Sequence, residues 1–271
     1  MPLRILLILG ALSAFGPLAI DFYLPSFPTL ARVFDTDVEH VQLSLAAYFV
    51  GLALGQLVYG PLADRFGRRL PLLVGVLLFC LASLACALAQ SLEWLIAARF
   101  VQALGGCAGM VVSRAVVRDL SDPISSAKVF SQLMLVMGLA PILAPLAGGQ
   151  LLGIASWRSL FWVMLAGGAM LMTAVVLIMK ESLAPERVVP LRLGTIVQNY
   201  RALFAHRGFM AHSLAGGFGQ AGMFAYIIGS PRVFIELYGV DPKYYGLLFG
   251  TNALSLIICS QISARLLRTH T

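Results

Sequence analysis

Two ionisable side chains stand deep inside apolar runs of this sequence, Asp21 and Arg99. On insertion scales each costs roughly 2.5–3.5 kcal/mol at the middle of a membrane helix, so such residues are functional candidates by default. Asp21 lies about nine residues and Arg99 about eight from the same end of their runs, which puts both on the order of 12–14 Å deep at ~1.5 Å per residue. Equal depth admits two readings. In one the charges form a structural salt bridge and satisfy one another. In the other the carboxyl, desolvated and balanced by a guanidinium, is poised to exchange a proton when a substrate or a conformational change moves the arginine. Tyr23, Tyr48, Gln56, Gln102, Tyr226 and Asn252 are the pocket candidates, each alternatively a packing or lipid-interface residue. Little else invites chemistry. His40, His206 and His270 lie in loops or tails, His212 opens an apolar run, and Cys80, Cys86, Cys107 and Cys259 have no metal-ligand spacing. With no nucleophile–base grouping and no phosphate loop, we expect no enzyme, no metal, no disulfide and no bound cofactor.

The elements that hold these residues follow from composition. Of 271 residues, 59% are hydrophobic and 11% charged, and mean hydropathy is +0.89. Soluble domains run near 45–50% apolar and about 25% charged, so a water-soluble globule and a disordered chain are both excluded. About 20 apolar residues cross a bilayer as a helix, which predicts eight spans at 5–30, 41–62, 70–90, 92–116, 128–152, 159–180, 209–230 and 244–266. Arg4 ahead of Ile5–Ile20 resembles a secretory leader, but Asp-Phe-Tyr-Leu-Pro follows where a small-residue cleavage site belongs. With both termini cytoplasmic, 14 of the 19 Lys and Arg residues fall on the inner side, and Arg32, Arg158, Arg232 and Lys243 on the outer. That bias orients the chain. The net charge of +7 is then a topology signal rather than a nucleic-acid footprint, and the lipid bilayer is the expected surrounding.

One long polar connection, 181–208, contains Pro185 and Pro190 and divides a six-span unit, 1–180, from two further spans, 209–271. Within it Ile196, Val197, Tyr200, Leu203 and Phe204 approximate a 3.6-residue period, the pattern of a short surface helix. The seventh span echoes the first, with Ala225 to Pro231 matching Ala19 to Pro25, and Gly246-x-x-x-Gly250 echoes Gly51-x-x-x-Gly55. Parallel halves are a transporter device. Ala47-x-x-x-Gly51-x-x-x-Gly55 and Gly105-x-x-x-Gly109 are read as close-packing seams.

Between the second and third spans runs Gly60-Pro-Leu-Ala-Asp64-Arg65-Phe-Gly67-Arg68-Arg69. Gly67 permits a backbone conformation closed to other residues, and the arginines can pair with carboxylates on neighbouring helix ends, Asp119 beside Arg118 being the candidate. In the fifth span Ala140, Ala144 and Gly148 fall four residues apart, with Pro141, Pro145 and Gly149 beside them. A packing seam and a gating role remain equally open there, the prolines being expected to bend the helix.

The decapeptide from Gly60 to Arg69 resembles the signature loop of the major facilitator superfamily at every defining position. Arg99-Phe-Val-Gln102-Ala103-Leu-Gly105-Gly106 is similar to that family's second motif, with Ala103 for the usual glycine. Ala140-Pro141 through Gly148-Gly149 is similar to its antiporter motif, with Ala140 and Ala144 for two glycines. Gly16-Pro-Leu-Ala-Ile-Asp21-Phe-Tyr23-Leu-Pro25 and Ser113 to Asp119 further resemble the Bcr/CflA-type (bicyclomycin/chloramphenicol-like) drug-resistance transporters.

The resemblance implies an all-α integral membrane fold: the first six-helix half of a twelve-span transporter plus two helices of the second. It implies proton-coupled efflux of small antibiotics across a bacterial inner membrane by alternating access, powered by the proton gradient. Asp21 and Arg99 would couple the proton, the Gly60–Arg69 loop with Arg118 and Asp119 would act as a switch, and a monomer would suffice. Two alternatives stay open: a shortened chain that does not transport or that associates with another membrane protein, and a proton-coupled nutrient symporter.

Overall fold

The computed structural model describes residues 2–252, 254, 255 and 259, with the backbone alone at 123, 124, 127, 128, 135 and 193. Among them there is no strand. The chain runs through α1 (Leu3–Asp21), a 3-10 turn (Leu24–Ser26), α2 (Phe27–Val33), α3 (Val38–Phe66), α4 (Arg69–Ala87), α5 (Leu92–Leu120), α6 (Pro123–Ile154) and α7 (Arg158–Ile178). After a second 3-10 turn at Pro185–Arg187 come α8 (Leu193–Ala205), α9 (Arg207–Pro231) and a π-helical stretch, Arg232–Leu237. The chain is helical again over 242–252.

Short polar residues start these helices. Asp37 accepts the His40 N–H, Ser91 that of Trp94 and Asp122 that of Ser125, each satisfying a donor that a helix start leaves free. At the far end of α4, Trp94 Nε1 takes the Ala85 carbonyl and Arg158 the Ala89 carbonyl.

α5 is the hub of a bundle made by α1 and α3–α7. It packs against α3, α4 and α1, while α6 lies on α1 and α7 on α4. The seams are closed by missing side chains. Gly51 of α3 lies against the Phe100 carbonyl and Ala103, and Gly55 against Cys107. Gly75 of α4 meets Ala108, Gly105 meets the Phe79 backbone, and Gly109 meets Leu12 of α1. At each of these glycines an added Cβ would collide with its neighbour, so the small-residue spacing is a packing device here.

Among the described residues, six helical stretches are long and apolar enough to cross a membrane: Leu3–Val33, Val38–Phe66, Arg69–Ala87, Leu92–Leu120, Val129–Ile154 and Arg158–Ile178. They match the first six expected spans to within a few residues. Two of the expected spans differ from a plain apolar helix in their detail. The first span is not one continuous helix: Pro25 has no N–H for the Asp21 carbonyl four residues back. The ladder tightens there, with Tyr23 N bonding Ile20 O and Ser26 N bonding Tyr23 O. The seventh span, 209–230, is a helix of sufficient length, but Gly216, Gly217, Gly219, Gly222, Gln220 and His212 leave it outside the apolar set. Of the eighth, 244–266, most of the part beyond 252 lies outside the described residues. The surface helix expected near 195–204 is α8, tied to the bundle by Tyr200 OH donating to the Leu57 carbonyl at 2.8 Å.

Candidate functional site: a buried guanidinium beside a broken helix

Arg99 is 0% exposed. Its Nη1 donates to Gln102 Oε1 at 2.6 Å and its Nη2 to the Ala19 carbonyl at 3.2 Å. The break in α1 supplies that carbonyl, because Tyr23 N turns to Ile20 instead of to Ala19, its normal helical acceptor. The guanidinium lies over the rings of Tyr48 and Tyr23, 4.1 and 4.5 Å from their centroids; such stacking favours a desolvated cation. A second ring of contacts fixes the first. Gln102 Nε2 donates to Ser83 Oγ at 2.7 Å and lies 3.5 Å from Met164 Sδ, Tyr48 OH donates to the Gly16 carbonyl, and Tyr23 OH bonds Ser44 Oγ. Side chains from α3, α4, α5, α7 and the α1 break thus converge on one cation.

Asp21, 4% exposed, ends α1. The expected pairing of the two charges is not formed. Arg99 spends its donors on Gln102 and Ala19, its Nε has no partner, and Asp21 Oδ1 has no hydrogen-bond partner. Equal depth placed the two residues at one level but could not say which way each faced.

Of the pocket candidates, Tyr23, Tyr48 and Gln102 gather at Arg99. Gln56 is exposed on α3 and lies outside that cluster. Tyr226 stacks on Phe249 and Asn252 is half-buried on the same later helix, a separate grouping on α9 and the helix beyond it. Sequence reasoning passed over Ser44, Ser83 and Met164, which carry no signal beyond a polar or sulfur atom in an apolar run.

The turn after α3 is interlocked. Gly67 adopts φ +83, open to glycine at no steric cost, and a Cβ there would strike the Glu181 carboxylate. Arg68 bridges Asp64 at 2.6 Å and Asp119 at 2.8 Å. The cation is partly desolvated, yet hydrogen bonds and attraction from both carboxylates raise its pKa above the usual arginine value. Glu181, absent from the expected site, organises the turn by accepting the N–H groups of Arg68, Arg69, Ser182 and Leu183 at 2.8–3.1 Å. Burial opposes its charge, but these four donors outweigh burial and hold its carboxyl below the usual glutamate range. Arg69 donates to the Val176 carbonyl at 2.6 Å. Arg65 and Arg118 are exposed, and Gly60 faces open space.

α6 joins the bundle to the later helices. Ala140 and Ala144 are buried. Gly148 lies against the Phe22 carbonyl and Gly149 against Pro242 and Lys243, while Gly246 meets Pro145 and Leu146. Pro141 is half-buried, and α6 stays helical through both prolines. Further links at the same face are Gln42 Nε2 donating to the Ile228 carbonyl at 3.1 Å and an ion pair between Glu39 and Arg232.

A bundle of membrane-length helices, with a fully buried guanidinium at its hub and an interlocked basic turn at one face, defines a multi-pass membrane protein. The chain belongs to the major facilitator superfamily, whose sequence profile matches residues 7–270. It is 43% identical to an uncharacterized MFS-type transporter, YdgK, of Bacillus subtilis, over 97% of this chain and 66% of that protein. A bicyclomycin resistance protein homolog of Haemophilus influenzae is 35% identical over 96% and 65%. The multidrug transporter MdfA of Yersinia pestis is 33% identical over 92% and 61%. The chain therefore spans about two thirds of the length of these relatives, or slightly less. Among solved structures, a D-xylose-proton symporter superposes with a TM-score of 0.72 at 13% identity, covering 98% of this chain and 69% of that one. A bacterial homolog of the human lysosomal transporter Spinster, in an inward-facing and unoccupied conformation, gives 0.73 at 18% identity, covering 98% and 63%. The fold is the all-α major facilitator fold.

Proposed function

We propose that this chain belongs to a proton-coupled exporter of small antibiotics or related toxic compounds, of the Bcr/CflA type, in a bacterial inner membrane. The observation that carries the reading is Asp21: a buried carboxyl with an unpartnered oxygen, at the break of α1, on the seam between the bundle and the helices that follow. A group so placed binds or loses a proton only when the seam rearranges, which is the coupling an antiporter needs. The relatives named for multidrug and bicyclomycin resistance support the same reading.

In this mechanism the basic turn at Gly67 lies on the cytoplasmic side, following the Lys and Arg bias, and both termini are cytoplasmic. The Glu39–Arg232 and Gln42–Ile228 contacts then close the outer side. Alternating access opens one face as the other closes, and a proton entering at Asp21 competes with drug or drives its release outward. Tyr23, Tyr48 and Gln102 border the drug. Arg99 already carries a positive charge with no carboxylate against it, which favours neutral or zwitterionic compounds over dications. The working unit is a monomer of the full-length protein in lipid, and the proton gradient is its energy source.

The test is chloramphenicol accumulation in everted membrane vesicles energised by a proton gradient. Asp21→Asn is expected to abolish pH-driven accumulation while leaving membrane insertion intact. Unchanged accumulation would remove Asp21 from the mechanism.

A further inference from the structure

α8 docks on α3 through a carbonyl that a proline leaves free. Pro61 lies inside α3 and has no N–H for the Leu57 carbonyl four residues back, and Tyr200 OH of α8 donates to that carbonyl at 2.8 Å. A second tie lies just ahead of α8, where the Val189 N–H donates to the Asp64 carbonyl at 3.0 Å. These ties set the depth of α8. Asp64 and Arg65 are exposed charges at the end of α3, where a membrane helix meets the headgroups. Leu57 lies seven residues further in, on the order of 10 Å at ~1.5 Å per residue. A helix lying in a membrane interface buries its apolar face to roughly 5–10 Å.

The bundle covers only the middle of that face. At about 3.6 residues per turn, Ile196, Val197, Tyr200, Leu203 and Phe204 form one stripe. Ile196 and Tyr200 are half-buried, whereas Val197 is 54% and Phe204 66% exposed, and Leu203 is exposed too. Around the stripe the charge has one sign. Residues 187–208 hold Arg187, Arg192, Arg201 and Arg207 and no Asp or Glu, and all four arginines are exposed. Arginines beside an apolar stripe lay their stems on apolar surface and keep their heads among the headgroups.

We infer that α8 lies in the membrane interface and binds anionic phospholipid there. Acyl chains cover Val197, Leu203 and Phe204, and Arg192 and Arg201 hold the phosphates. Through Tyr200 the lipid-bound helix braces α3 at Pro61, one turn before the bridge from Asp64 to Arg68. Neither Asp21 nor any transported compound enters this arrangement.

The experiment places the full-length protein in phosphatidylcholine bilayers containing a minor fraction of phosphatidylglycerol, with bromine on the acyl chains of one lipid or the other. Accessible cysteines are replaced by serine, and a bimane fluorophore is attached at Val197→Cys or, on the opposite face of α8, at Gln198→Cys. The probe at 197 should be quenched by bromolipid and the probe at 198 should not. Per bromolipid, phosphatidylglycerol should be preferred on the order of fivefold for each arginine near the surface, and Arg192→Gln with Arg201→Gln should remove the preference. Equal quenching by the two lipids, or a preference that survives both substitutions, overturns the inference. Quenching by neither lipid at 197 means that protein covers this face, and overturns it as well. Unfolding temperature reads the brace. Phosphatidylglycerol should raise it above the value in phosphatidylcholine alone, and Tyr200→Phe, which keeps the ring and removes the donor, should keep the quenching but lose the rise. A rise that persists in Tyr200→Phe overturns the brace on α3.

Discussion

Arg99 donates to the carbonyl of Ala19 across 3.2 Å, and the bond exists because Tyr23 has turned its own N–H to Ile20. The defect in α1 and the buried cation of α5 are therefore two parts of one arrangement. The tightened turn at Tyr23 frees the Ala19 acceptor, and that acceptor meets a guanidinium that has no carboxylate.

Lysine should fail at position 99. Its ammonium is a compact point charge, unable to reach Gln102 and Ala19 with a planar fork while lying flat against two phenol rings. Arg99→Lys is expected to leave one buried acceptor unsatisfied, costing about 1–3 kcal/mol, and to lower transport at least tenfold. Arg158, at a helix start, donates one side-chain hydrogen bond, to the Ala89 carbonyl, and lies over the single ring of Trp157, contacts that lysine can also make. Thermal unfolding in detergent together with vesicle transport compares the two substitutions, and equal losses would end the case for a special geometry at Arg99.

The seam on α6 predicts a sharp contrast between two glycines five residues apart. Gly148 lies against the Phe22 carbonyl, whereas Gly153 has no neighbour within 4 Å of a Cβ. Gly148→Val should cost about 1–3 kcal/mol through overpacking and should block transport. Gly153→Val should do neither. Expression level, unfolding temperature and transport of both variants decide the point.

Glu181 predicts a pH-dependent stability. Its carboxyl is held below the usual glutamate range in the folded protein, so the stabilisation is complete above the unfolded value of about 4.3. It is lost as pH falls through the lower folded value. Glu181→Gln should therefore unfold at a lower temperature than the parent at neutral pH, and the gap should close in acid. A gap that stays constant with pH would mean that shape rather than charge is what the turn requires.

The six spans of the bundle were legible because nothing but a membrane helix uses such long apolar runs. Asp21 and Arg99 stood out as lone charges in those runs. Their failure to pair was not legible, since depth along two helices says nothing of the direction each side chain faces. The break in α1 was written in Pro25, four residues after Asp21, but a hydropathy count smooths over one missing N–H. Glu181 was hidden for another reason. Beside Lys180 at the end of a span it looks like an ordinary loop charge, and its role depends on a turn more than a hundred residues earlier.

The glycine seams around α5 carry a mechanical consequence. Gly105 and Gly109 meet backbone atoms of Phe79 and Leu12, and Gly51 meets the carbonyl of Phe100, with no flexible side chain between to act as a bearing. Surfaces meshed so tightly do not slide. The body of α1, α3, α4 and α5 should turn as one rigid block, and the play needed to change shape must come from its rim: the tightened turn after Asp21, and the change from α to π geometry after Pro231.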